Sequence, residues 1–78
     1  MFTPPQVVDT YFLESRHQIL EIAALMDRYD AAVERSGSGG GAGAERKLEV
    51  LRRALAIAAD PRPAGERTVA LLELFATV

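Results

Sequence analysis

Val8, Phe12, Ser15, Ile19, Ile22, Met26, Tyr29 and Val33 follow one another at intervals of four, three, four, three, four, three and four residues. Only an α-helix turns that spacing into one continuous seam, and every member except Ser15 is apolar or aromatic. A seam of this length must lie against something, and a chain of 78 residues offers little to cover it. The back of the same helix carries a second stripe, with Leu13, Leu20, Ala24 and Ala31 spaced at seven, four and seven. Between Ile19 and Met26 only Glu21 is polar. A helix apolar on so many sides is normally buried on more than one of them.

The helix boundaries are set by caps and breakers. Thr3 is a suitable N-cap, and Pro4 and Pro5 fit a first turn whose N–H groups have no intrahelical partner. Helix 1 is expected over about 4–35, a rod about 45 Å long. Ser36 to Gly43 reads as a Gly-rich linker over 36–43. Helix 2 is expected over about 44–59, with Ala44, Leu48, Leu51, Leu55 and Ala58 as its seam and Glu49 paired to Arg53 one turn on. Asp60-Pro61-Arg62-Pro63 forms a break over 60–63, because the residue before a proline is pushed out of helical geometry. Helix 3 follows over about 63–77, with Val69, Leu72, Phe75 and Ala76 expected on its inner side. No alternating apolar run bounded by turns competes with this reading.

The expected fold class is therefore all-α. Residues 1–78 read as a single helical domain, a helical hairpin or three-helix bundle with one long N-terminal helix, completed by dimerisation into a larger bundle. Whether helix 3 folds back or continues along helix 1 is left open by the spacing. A homodimer, with Leu13, Leu20, Ala24, Ile19, Ile22 and Met26 at the interface, would cover both stripes. Another helical protein is the alternative partner.

Composition narrows the function classes. With no cysteine, disulfides and thiolate metal sites are excluded, which fits a reducing compartment. Net charge is −2, against the positive surface usual in nucleic-acid binders. The first residues lack the basic and apolar regions of a signal peptide, and no apolar run approaches the roughly 18 residues of a membrane span. A cytoplasmic location without membrane insertion is the expectation.

Four patterns invite a chemical reading. Glu14 and His17 form Glu-x-x-His, the half-site that carboxylate-bridged metal bundles use, and Glu21 extends the same face by a turn. Two copies could supply six metal ligands, but any Glu and His three apart match this pattern, and a solvated face in which His17 pairs with these carboxylates is the simpler account. The glycine string has no Gly-Lys-Ser/Thr after it and follows a helix rather than a strand, so it is not a phosphate loop. Arg46, Lys47, Arg52 and Arg53 are interleaved with Glu45 and Glu49 and lack aromatic companions, which suits a solvated face better than a nucleic-acid grip. Tyr11, Phe12 and Tyr29 lie on or beside the seam, where packing is the default. No nucleophile triad is available and no cofactor is implied, so the sequence points away from an enzyme.

The run Tyr11-Phe12-Leu13-Glu14-Ser15-Arg16, then Leu20-Glu21-Ile22-Ala23-Ala24, then Asp27-Arg28 resembles the first helix of a group of small uncharacterised bacterial helical proteins. That resemblance covers about a quarter of the chain and implies no activity. It marks Glu14, Arg16, Glu21, Asp27 and Arg28 as the polar members of the pattern. The function expected from the sequence is non-enzymatic helical self-association or protein interaction, with a metal-binding helical bundle as the alternative.

Overall fold

The computed structural model describes all residues from Met1 to Val78, and its ordered elements are all helical. The helices are α1 (Pro4–Ser36), α2 (Gly41–Ala59) and α3 (Glu66–Phe75). The chain divides into two compact units, Met1–Gly37 and Ser38–Val78.

Unit 1 is α1 with its caps. Thr3 closes the N-terminal end reciprocally. Its hydroxyl accepts from the Gln6 N–H at 3.4 Å, while its own N–H donates to Gln6 Oε1 at 2.9 Å. The far end stops at Gly37, whose φ of +76° suits glycine and lets its N–H reach the Val33 carbonyl at 2.8 Å. At about 1.5 Å per residue, the 33 residues of α1 make a rod of roughly 50 Å. None of them is buried.

Unit 2 is a helical hairpin. Its two ends fix the direction of α3. Near the turn, Arg67 Nη2 donates to the Asp60 carbonyl at 2.6 Å; at the open end, Arg46 Nη2 donates to the Thr77 carbonyl at 3.1 Å. The start of α2 thus lies beside the end of α3, and α3 folds back antiparallel on α2. This settles, for helices 2 and 3, the direction that spacing left open.

Three expectations about these helices are corrected. First, α2 begins at Gly41 rather than near Ala44, so the glycine string is shorter as a connector. Gly41 has φ +85° and swings the chain into the helix; Ala42, Gly43 and Ala44 then occupy a first turn whose N–H groups need no intrahelical acceptor. Second, α3 begins at Glu66, because Pro63 to Gly65 form a turn in which the Glu66 N–H bonds the Pro63 carbonyl at 3.1 Å and Gly65 sits at φ +84°.

Third, the packed faces differ. In α2 the buried residues are Leu48, Val50 and Ala54, while Leu55 and Ala58 of the expected seam are exposed. In α3 the half-buried residues are Ala70, Leu71 and Leu74, whereas Val69, Leu72, Phe75 and Ala76 are exposed. Apolar residues surround α3 on nearly every side, so periodicity selects no face, and the Pro63–Gly65 turn aims the helix instead. Val50 and Leu51 of α2 border a cleft with Phe75 and Val78.

Candidate association surface on the first helix

Solvent exposure divides α1 into two halves. Every residue from Met1 to Glu21 is exposed, and all half-buried positions of the helix lie between Ile22 and Val33. The heptad seam is cut by the same boundary. Val8, Phe12, Ser15 and Ile19 are exposed, while Ile22, Met26, Tyr29 and Val33 are half-buried.

The candidate interface residues separate accordingly. Leu13 is 74% exposed, Ile19 62% and Leu20 53%; Ile22, Ala24 and Met26 are half-buried. Sequence reasoning passed over Val7 and Leu25, which are also exposed. The signal for them was present: Val7, Tyr11, Gln18 and Leu25 recur at four, seven and seven along a line beside the seam. Together the bare half presents Val7, Val8, Tyr11, Phe12, Leu13, Ile19 and Leu20 to water within four turns. Scattered exposed apolar residues are ordinary, but this many large ones within four turns of one helix mark a contact surface.

The polar face carries the proposed metal ligands. His17 Nε2 and Glu21 Oε1 stand 3.2 Å apart one turn from each other, with both side chains about 70% exposed. Glu14 takes no part in that pair, and no three His, Asp or Glu side chains of the chain converge on a point. The pairing of His17 with Glu21 is that of neighbours on a solvated helix face, worth a few tenths of a kcal/mol.

Two of the four basic residues of α2 make polar contacts within the hairpin. Arg46 is held by the Thr77 carbonyl, and Arg53 Nε lies 3.5 Å from Glu49 Oε1, the pair expected from spacing. Lys47 borders the cleft against Phe75 and Val78. No helix is long and apolar enough to cross a membrane.

No family model matches the chain, and neither a curated protein nor a solved structure is significantly similar to it.

Proposed function

We propose that this chain is a helical association module, that its long first helix is the element that associates, and that the partner is a second copy of the chain. The observation that supports this reading is the bare half of α1. Seven large apolar or aromatic side chains lie between Val7 and Leu20, and none of them is covered. Covering each contributes roughly 1.5–3 kcal/mol when complete. A handful of such side chains from each of two copies is enough to offset the cost of association, put at about 4–15 kcal/mol.

The surface also has the regularity of a helix-pairing site. Val8, Phe12, Ser15 and Ile19 keep the heptad spacing along which two helices interdigitate. Leu13 and Leu20 give the same half a second apolar stripe away from the seam, as in helices of larger bundles that are covered on more than one side. Interaction, rather than chemistry on a substrate, is what such a face provides.

Sedimentation velocity on the 78-residue chain tests the reading. A dimer at micromolar concentration is expected, and Ile19→Glu should convert it to a monomer with its helical circular dichroism in α2 and α3 retained. A chain that sediments as a monomer up to several hundred micromolar, with full helicity, overturns the proposal.

A further inference from the structure

The association just proposed, on which this inference rests, leaves the geometry of the pair open; the bare half of α1 carries enough detail to set it. In heptad terms Phe12 and Ile19 occupy a, Val8 and Ser15 occupy d, Asp9 and Arg16 occupy e, and Tyr11 and Gln18 occupy g. A depression on the helix surface is lined by Phe12, Ser15, Arg16, Ile19 and Leu20. The first four are the a, d, e and next a positions, the set of four that receives one side chain of a facing helix in knobs-into-holes packing.

The size of that hollow discriminates between arrangements. Ser15 is the smallest side chain on the seam, so the hollow above it accepts a large knob. In a parallel, in-register pair, the side chain at that level would be the partner's Ser15, and two serines would leave a void. In an antiparallel pair it is an a residue, and Phe12 is the large, exposed a residue nearby. We propose that α1 pairs with α1 of a second copy in antiparallel fashion, about a two-fold axis passing between Phe12 and Ser15. Each Phe12 ring then fills the hollow over the partner's Ser15, and each Val8 packs against the partner's Ile19.

Charge selects the same register independently. This axis sets Asp9 beside the partner's Arg16, and by symmetry does so twice. Neither residue has an ion-pair partner in its own chain. Sliding the axis by half a heptad in one direction sets Asp9 against the partner's Asp9; in the other it sets Arg16 against the partner's Arg16. A further step sets Asp9 against the partner's Asp30. The step beyond that matches Arg16 with the partner's Asp30, but it draws on Ile22, Met26, Tyr29 and Val33, which are already half-buried. In the chosen register Tyr11 also faces the partner's Gln18, so the flanking positions pair a phenol with an amide.

The chain contains no cysteine, which makes the register directly measurable. Val8→Cys and Ile19→Cys chains, mixed and oxidised, should form a mixed disulfide. Val8→Cys alone should cross-link poorly, because the two copies of residue 8 lie roughly 16 Å apart along the axis. In sedimentation equilibrium, Asp9→Arg or Arg16→Asp alone should weaken dimerisation about five- to tenfold, and the double exchange should restore it to within about twofold. Efficient Val8→Cys self-cross-linking, or a double exchange no tighter than the single ones, overturns this geometry while leaving self-association standing. A chain that stays monomeric overturns both.

Discussion

Arg46 and Thr77 stand 31 residues apart in the chain, yet the Arg46 guanidinium donates to the Thr77 carbonyl at 3.1 Å. This bond ties the first turns of α2 to the turn that ends α3. Arg46→Ala should loosen the open end of the hairpin. Because the bond is exposed, the expected loss is about 0.5–1 kcal/mol, read from urea unfolding of the chain. An unchanged midpoint would show that the bond contributes nothing to holding α3.

The interior of the hairpin is small, so its few buried side chains matter. Leu48 is 8% exposed, and only Val50 and Ala54 are buried with it. Leu48→Ala should cost about 2–3 kcal/mol and melt most of the α2 and α3 helicity. Leu55→Ala, on an exposed side chain of the same helix, should cost much less. Equal losses would place the packed face where the simple seam puts it.

Gly65 precedes α3 at φ +84°, with open space where a Cβ would lie. Only backbone conformation therefore opposes a side chain there. Gly65→Ala should destabilise the hairpin by about 1–2 kcal/mol, seen as a lowered thermal midpoint. A stabilised variant would mean that the turn adopts another conformation.

Thr3 caps α1 through both halves of its exchange with Gln6. Thr3→Ala should cost about 1 kcal/mol of local helix stability. Faster amide exchange confined to the first turn of α1 is the signature. Since Val7 and Val8 follow directly, dimerisation should weaken as well.

His17 and Glu21 offer a test of the metal alternative. As a solvated pair, they predict that His17→Ala changes stability by less than about 0.5 kcal/mol and leaves the oligomeric state unaltered. Zinc titrated into the chain and followed by calorimetry should give no binding that depends on His17. A His17-dependent, stoichiometric isotherm would replace the solvated pair with a shared metal site.

Much of this protein is written locally. Thr3 with Pro4 and Pro5 starts α1, Gly37 ends it, and Pro61 with Pro63 separates α2 from α3. Caps and breakers act on backbone groups within a turn of themselves, so a linear reading captures them. The apolar character of Leu13, Ile19 and Leu20 was legible for the same reason, since a helical period follows from spacing alone.

What the spacing could not decide was which apolar side chains are covered. Val50 and Ala54 are buried in α2 while Leu55 is exposed, and Leu71 and Leu74 of α3 are half-buried while Leu72 is exposed. Periodicity reports that a helix has a greasy side; only the placement of residues far away in the chain determines whether water reaches it. Helix existence was thus a property of the sequence by itself, and the choice of faces belonged to the tertiary structure, because burial is a relation between segments and not a property of one.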